Sequence, residues 1–319
     1  MRTCLNVHGA TMRFETNAKP HYDEFLKEFG LHASDKSNEI DGTIRLSETD
    51  EVDFKVPEGA IRDSIVFPSA SMYVHRSKIF LLEKGKYFIT IDPTKFEVDA
   101  HVKPSCRIFE KIRFIAKKTL VRLLENKGII SIHGSAATDD DGALLFTGMS
   151  GSGKTTSLIA LLERGYRMLT DDAVLIDEEA VLPFYLRSMI HRDTLERFAS
   201  LASGITKTNI LIQEADGWWI NLGDLFPLQQ EPSTPRAIFH TQIWNSIKSS
   251  YRKIEPSKML SNLIKNYMTE TSVIFKPTAH QLKQVFSAYS KLVEQKPCYN
   301  LYIGRDPERL FRAIEEASK

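Results

Sequence analysis

The chain has 319 residues, of which 42% are hydrophobic and 26% are charged, as in ordinary globular proteins. Its 42 lysines and arginines nearly balance its 41 aspartates and glutamates, giving a net charge of +1. This charge gives no reason to expect a nucleic-acid partner, and the length suggests about two domains.

Cysteine usage and hydropathy favour a cytoplasmic protein. Cys4, Cys106 and Cys298 lie far apart and form neither a metal-type pair nor a disulfide framework, which suits a reducing compartment. The first residues contain no apolar core of signal-peptide length. No run approaches the roughly 18 apolar residues that a membrane helix needs. We therefore expect cytoplasmic localisation and no membrane partner.

The first 104 residues predict a β-rich N-terminal region. Short strand-like runs are broken by turns, and KIFLLE and KYFITI are separated at Lys84-Gly85 in the manner of a hairpin. Residues 21–30 predict one short helix that ends at Gly30. No functional site is expected in this region.

Helical spacing replaces the strand-like runs after Pro104. Apolar residues recur at helical spacing through 107–128, and Gly128 ends the pattern. We begin a second domain, residues 105–319, at this point. Five basic residues of the helix are interpreted as a solvated face rather than a binding patch: Lys111, Arg113, Lys117, Lys118 and Arg122.

The next segments have the order of a nucleotide-binding α/β unit. Two apolar strands, at 128–137 and 142–148, are joined by the acidic turn TDDDG, which we interpret as a hairpin turn rather than a metal site. A glycine-rich loop, a helix over 155–165 and a strand over 166–177 follow.

Helices and strands alternate in the remainder of the domain. A hairpin is predicted at 208–222, where one of the adjacent rings of Trp218 and Trp219 must face outward. The other predicted elements are strands at 236–244 and 299–304 and helices at 195–202, 257–268, 280–295 and 307–317.

The segment FTGMSGSGKTTS at 146–157 contains a complete G-x-x-x-x-G-K-[ST] pattern. Glycines of such a loop let backbone N–H groups surround phosphate oxygens, and the following helix points its positive end at the same anion. Lys154 would reach the β- and γ-phosphates, and the Thr155 hydroxyl would ligate Mg²⁺. The predicted nucleotide-binding residues are Gly148, Ser150, Gly151, Ser152, Gly153, Lys154, Thr155 and Thr156.

Two adjacent acids, Asp171 and Asp172, lie 17 and 18 residues beyond Lys154 at the end of a predicted strand. A carboxylate in this place completes the oxygen shell of Mg²⁺. Consecutive strand residues point to opposite faces, but at a strand end one acid can serve the metal and the other an acceptor hydroxyl. The alternative is one metal ligand with a solvated neighbour.

His133 and several arginines are weaker candidates. A histidine in an apolar strand is commonly structural, although beside an Asp pair His133 can orient a carboxylate and tune its basicity. Arg187 and Arg192 lie where a positive charge can steady a transferring phosphoryl group, and Arg305 is a weaker candidate for that role.

The residues from Ile130 to Asp177 resemble the catalytic domain of the HPr kinase/phosphorylase family. They contain IHG, then the glycine loop, then RGYRMLTDD at that family's offsets. The resemblance implies an α/β fold of the HPr kinase and phosphoenolpyruvate carboxykinase type, with the P-loop domain preceded by the β-rich region. It also implies ATP and Mg²⁺ as cofactors and a serine hydroxyl of a protein or peptide as acceptor.

The resemblance further assigns residue roles. It makes Asp171 the general base and leaves Asp172 to serve Mg²⁺, together with Thr155, or to contact His133. With Lys154 and Arg187, these residues form the expected catalytic set. Members of the family are often oligomeric, so a homo-oligomer is expected by analogy.

One departure from the family narrows the expected activity. The bifunctional enzymes carry a glycine-containing signature after the Asp pair, whereas residues 182–198 read LPFYLRSMIHRDTLERF, without glycine. Phosphorylase activity is therefore not expected, and the acceptor need not be HPr. Length and ending suit divergent members that phosphorylate peptide precursors, including those of lasso peptides.

Three functions fit the sequence. The leading hypothesis is an ATP- and Mg²⁺-dependent serine kinase acting on a protein or peptide. The second is a nucleotide-regulated binding module with little or no hydrolysis, although its expected sign, a degenerate Asp pair, is missing here. The third is a small-molecule kinase or a carboxykinase-like enzyme, which differs in its acceptor pocket.

Overall fold

The computed structural model describes residues 1–34, 39–52, 54–63, 70–205, 210–214, 216–271 and 274–319. These residues form a mixed α/β structure with several sheets, as predicted. The chain divides into two compact units, Met1–Lys127 with Thr271–Pro277, and Gly128–Glu270 with Thr278–Lys319. This division differs from the predicted boundary at 104/105 because the helix after Pro104 packs on the strands that precede it.

In the first unit, the described strands form a sheet in the order β1-β2-β3-β8-β7-β6-β5-β4, with parallel pairing of β3 to β2 and to β8. The predicted hairpin is β6 and β7. Among the described residues of this unit, α1 (Lys19–Phe29) and α2 (Phe109–Asn126) accompany the sheet. The strands are β1 (Arg2–Val7), β2 (Ala10–Thr16), β3 (Gly42–Glu48), β4 (Ile61–Arg62), β5 (Ser71–His75), β6 (Lys78–Glu83), β7 (Tyr87–Asp92) and β8 (Glu97–Val102).

The basic residues of α2 correct one prediction. Arg113, Lys117 and Arg122 are buried rather than solvated. Buried charges need partners, and the Arg113 Nε donates to Glu28 at 2.9 Å while Arg122 pairs with Glu125. The interpretation as a solvated face is therefore wrong for these three residues, because most residues of α2 are buried and not only its apolar ones.

In the second unit, the described strands form a main sheet in the order β12-β10-β11-β18-β20-β19 and two smaller sheets, β14-β13-β9 and β15-β17-β16. The strands are β9 (Ile130–Ile132), β10 (Gly134–Asp139), β11 (Gly142–Thr147), β12 (Arg167–Thr170), β13 (Val174–Asp177), β14 (Ala180–Leu182), β15 (Ser188–His191), β16 (Ile210–Glu214), β17 (Gly217–Ile220), β18 (Pro235–Ile243), β19 (Ser250–Lys253) and β20 (Cys298–Ile303). Residues 208, 209 and 215 of the predicted hairpin lie outside the described residues.

Helices cover both faces of the main sheet. Side chains alternate along β11, so Leu144 and Phe146 pack with the helices at 154–162 and 307–318, whereas Leu145 packs with the helices at 256–271 and 279–295. None of the helices in the described ranges is long and apolar enough to cross a membrane. The helices of this unit are α3 (Lys154–Leu162), α4 (Arg192–Arg197), α5 (Ala199–Gly204), α6 (Pro256–Thr271), α7 (Ala279–Gln295) and α8 (Pro307–Ser318).

Two strands predicted as continuous are each broken, and the breaks lie opposite each other. The segment 128–137 divides into β9 and β10 at His133, and the segment 166–177 divides into β12 and β13 at Asp171–Asp172. Strands β10 and β12 pair in the main sheet, whereas β9 and β13 pair in a smaller one. Both segments therefore pass from one sheet to the other at neighbouring positions, which brings His133 and the two acids together.

Candidate active site

The glycine-rich loop connects β11 to α3 in a conformation that needs its last glycine. Gly153 has φ +97°, and a Cβ atom there would lie 2.5 Å from Ile303 Cδ1 and 2.9 Å from Ile243 Cδ1. The Lys154 Nζ donates to the carbonyl oxygens of Gly148 and Met149 at 3.0 and 2.9 Å. The ammonium group is thus held over the loop that is expected to carry phosphates.

Asp171 faces the first turn of α3. The Thr155 hydroxyl donates to its two carboxylate oxygens at 3.2 and 3.1 Å. Asp171 is 4% exposed, and burial raises its pKa, with the charge of Asp172 adding to the rise and the Thr155 hydroxyl opposing it. Thr155 and Asp171 therefore present a hydroxyl and a carboxylate side by side.

Asp172 contacts His133. The His133 Nδ1 lies 3.2 Å from its Oδ1 and 3.1 Å from its backbone carbonyl oxygen, so Nδ1 acts as the donor. Asp172 has φ +78°, an uncommon conformation for a residue other than glycine. Its side chain is 27% exposed. The turn between β12 and β13 thus sends the two acids to different partners.

Arg187 enters the site from the start of β15. It is 4% exposed, and its guanidinium lies over the Trp219 ring at 5.2 Å from the centroid. Met189 and Trp219 are register partners on β15 and β17. Both adjacent tryptophans are half-buried: Trp218 packs against the core, and the ring of Trp219 faces the cleft rather than open solvent.

A cleft of about 360 Å³ brings most of the predicted site residues together. It is lined by His133, Ser150, Gly151, Gly153, Lys154, Thr155, Thr156, Asp171, Asp172 and Arg187. Gly148 and Ser152 do not line the cleft but hold the loop in place. The Gly148 carbonyl oxygen accepts from the Lys154 Nζ, and the hydroxyl oxygens of Ser152 and Thr241 lie 2.8 Å apart.

Two weaker candidates are placed elsewhere. Arg192, at the start of α4, is exposed and does not line the cleft. Arg305 donates to Asn245 Oδ1 at 3.1 Å. Neither arginine is brought to the Asp pair with Arg187.

Sequence reasoning missed the lining residues that come from β15, α4, β17 and β18. Thr194 meets the first turn of α3 through Thr156, with 3.3 Å between the two hydroxyl oxygens. No motif marks this set, although the paired tryptophans before residue 220 were a signal for one wall. The missed residues are Met189, His191, Asp193, Thr194, Trp219 and Ile243.

The donor set fits Mg²⁺ rather than a metal held by protein side chains alone. Within the described ranges, no group of three or more His, Cys, Asp or Glu side chains is arranged to hold a metal ion. Mg²⁺ is commonly bound by one or two protein oxygens together with substrate phosphates and water. The adjacent Thr155 hydroxyl and Asp171 carboxylate match that pattern, because both are hard oxygen ligands beside the loop.

Comparison with solved structures gives a structural likeness. No family model matches the chain, and no curated protein matches it. A solved structure of the Hpr(Ser) kinase/phosphatase from Coxiella burnetii matches with a TM-score of 0.28 and 11% identity, covering 58% of this chain and 94% of that one. The family relation implied by the motifs therefore stays a prediction, and the site geometry carries the functional argument.

Proposed function

We propose that the protein is an ATP- and Mg²⁺-dependent kinase that transfers phosphate to a serine hydroxyl of a protein or peptide. The observation that carries the proposal is the division of the acid pair, with Asp171 against Thr155 and Asp172 against His133, in one cleft with the phosphate loop. A nucleotide switch needs a metal carboxylate beside the loop but has no use for a second, separately oriented one. The serine acceptor is supported by the resemblance of the motifs to serine kinases.

Asp171 and Thr155 are suited to the metal. They would hold Mg²⁺ through the hydroxyl and a carboxylate oxygen, and the ion supplies neutralisation of phosphate charge when bound. Burial disfavours the charged form of Asp171, and a neighbouring cation offsets that cost. This assignment reverses the roles that the resemblance implied for the two acids.

Asp172 is suited to the acceptor. Its side chain is partly exposed in the cleft, so an acceptor hydroxyl can approach it, whereas Asp171 is buried behind Thr155. The contact with His133 Nδ1 fixes the orientation of the carboxylate. We assign Asp172 as the general base and His133 as the residue that positions it.

These residues account for each part of the transfer step. The serine oxygen attacks the γ-phosphorus while its proton passes to the Asp172 carboxylate. The bond from the γ-phosphorus to the β–γ bridging oxygen breaks, and ADP leaves. Lys154 and Arg187 stabilise the charge that spreads over the transferring group, because cations positioned in advance need no reorganisation during the reaction.

Labelled ATP distinguishes the alternative functions. The protein is incubated with γ-labelled ATP, Mg²⁺ and a peptide library with one central serine, with an alanine-substituted library as the matched control. Acid-stable label on phosphoserine, lost in Asp172→Asn, is the expected result. Label found only as free phosphate would contradict the kinase. Nucleotide binding without turnover would favour the binding module, and transfer to small hydroxyl compounds alone would favour a metabolite kinase.

A further inference from the structure

An exposed apolar patch lies beside the phosphate loop at the carboxyl end of β18. Ile243, Trp244 and Ile247 are 48%, 47% and 65% exposed. Single exposed apolar residues are ordinary, but a group of three around a loop end is a sign of a binding surface. None of these residues has a role in the transfer step described above.

The patch is joined to the loop through side-chain packing. Ile243 is a register partner of Ile303 on β20, and both isoleucines close on Gly153 from the same side. The loop is also tied to β18 by the hydroxyl contact between Ser152 and Thr241 at 2.8 Å. Ile243 lines the same cleft as Lys154, so the apolar surface continues directly from the phosphate site.

Trp244 is held in place rather than loosely exposed. Its backbone N–H donates to the Ile303 carbonyl oxygen at 2.9 Å, and its ring meets Tyr302 edge-on with the centroids 6.1 Å apart. The loop after it is anchored as well, because the Arg305 N–H donates to Ser246 at 2.9 Å. A ring fixed in this way offers a preorganised flat surface at low entropic cost.

The strand order decides what the patch faces. The acid pair follows β12, on one side of β11, whereas β18 and β20 lie on its other side. The γ-phosphate must lie near the acids for transfer, so the remaining phosphates and the nucleoside leave the loop on the side of β18 and β20. Ligands in α/β sheets bind outside the carboxyl ends of the parallel strands, and the patch lies at that end of β18.

We propose that Trp244, supported by Ile243, is the platform on which the nucleobase of ATP stacks. This inference rests on the proposed function, since it takes the γ-phosphate to lie at the acid pair. Another aromatic side chain, Trp219 in the cleft, already lies beneath the Arg187 guanidinium.

The first test compares ligands with and without a base. Affinities for Mg·ADP and for inorganic tripolyphosphate are measured by calorimetry in wild type, Trp244→Ala and Trp244→Phe. Because one stacking contact is lost, the affinity of Trp244→Ala for ADP should fall by about tenfold, while its affinity for tripolyphosphate is unchanged. The ADP affinity of Trp244→Phe should stay within about threefold of wild type. Trp218→Phe, whose ring packs against the core, is the matched control with wild-type affinities.

The second test uses fluorescence, because the chain has three tryptophans. In Trp218→Phe/Trp219→Phe, emission from Trp244 should change with ADP and stay constant with tripolyphosphate. A change confined to Trp218→Phe/Trp244→Phe, which keeps Trp219, would put the base on the acid side and overturn the platform. Normal ADP affinity in Trp244→Ala would overturn it too, with the kinase proposal intact. If the wild-type protein binds neither ADP nor tripolyphosphate, both the Trp244 platform and the kinase proposal are wrong.

Discussion

The Thr155 hydroxyl donates to both carboxylate oxygens of Asp171, at 3.2 and 3.1 Å. Asp172, the next residue, contacts His133 instead. A pair of adjacent acids is thus divided between the first turn of α3 and the break between β9 and β10. The division predicts that neutralising Asp171 and neutralising Asp172 will impair different steps of the reaction.

Asp171→Asn should impair metal use, and Asp172→Asn should impair transfer. We expect Asp171→Asn to lose most of the Mg²⁺-dependent gain in ADP affinity, because the amide is a poorer ligand for a hard cation. We expect Asp172→Asn to bind Mg·ADP within about twofold of wild type while transfer falls by about 10²–10⁴-fold. Calorimetry with and without Mg²⁺, and label transfer from ATP, measure the two effects.

Both substitutions preserve side-chain shape, so each protein serves as the control for the other. If Asp171→Asn binds Mg·ADP normally and loses transfer, the roles are those that the resemblance implied. If neither substitution affects transfer, the acid pair is not the catalytic centre.

Much of this site could be predicted from the sequence because it depends on short-range order. The loop pattern predicted Lys154 and Thr155, and their offsets from Lys154 singled out His133 and Asp171–Asp172, which the structure brings into the same cleft. The sequence allowed the two acids to diverge but did not show which of them meets Thr155, since that depends on a φ of +78° at Asp172. The walls from β15, β17 and β18 were missed, because tertiary packing alone brings residues such as Trp219 and Ile243 to the loop.

The fold shows the same limit. Helical spacing placed α2 correctly, since a repeating apolar face is a local signal. The sequence could not show which unit the helix joins, nor that Arg113 is buried against Glu28, 85 residues away. Contacts over such separations leave no periodic trace in the chain.

Neutralising Asp171 should also stabilise the protein at neutral pH. Burial raises the folded-state pKa of Asp171 above the ordinary value of 3.8, so the native state binds this proton more tightly than the unfolded state does. Stability therefore falls as pH rises from the unfolded value through the raised folded pKa. Asp171→Asn avoids this loss, and we expect about 1 kcal/mol of added stability and a melting temperature about 2–4 °C higher.

Thermal melts of the metal-free protein at several pH values test this sign. The gain of Asp171→Asn should shrink toward zero as pH falls below the ordinary Asp range, where the wild-type carboxyl is protonated too. Asp177→Asn changes an exposed carboxylate at the end of β13 and should shift stability by less than about 0.5 kcal/mol. A lower melting temperature for Asp171→Asn at neutral pH would contradict the argument.

The glycine after His133 is predicted to be irreplaceable. A Cβ atom at Gly134 would lie 2.4 Å from the Phe146 carbonyl oxygen and 3.4 Å from Val174 Cγ2. Backbone cannot yield as a side-chain tip can, so Gly134→Ala must push β10 from β11 just before the phosphate loop. We expect a loss of about 2–3 kcal/mol in the free energy of unfolding and weaker ADP binding.

Denaturant unfolding measures the cost of Gly134→Ala against a glycine with open surroundings. Gly30 has φ −60°, and its nearest neighbour to an added Cβ would be Leu26 Cβ at 4.0 Å. Gly30→Ala should therefore be neutral or slightly stabilising. Equal stabilities of the two variants would mean that β10 and β11 can separate without cost.

Substitution by lysine separates the contribution of the Arg187 charge from that of its planar shape. The side chain is buried and its guanidinium lies over Trp219. Arg187→Lys keeps the charge but loses the planar group that stacks on the Trp219 ring and that can donate to two phosphate oxygens at once. We expect kcat to fall by about 10–100-fold with little change in KM for ATP, since the contact strengthens as charge moves to the transferring phosphoryl group.

Arg192 is an exposed arginine outside the cleft, so the control variant Arg192→Lys should keep wild-type kinetics. Melting temperatures of both variants separate a catalytic loss from unfolding. A rise in KM with unchanged kcat would instead assign Arg187 to ground-state binding of ATP.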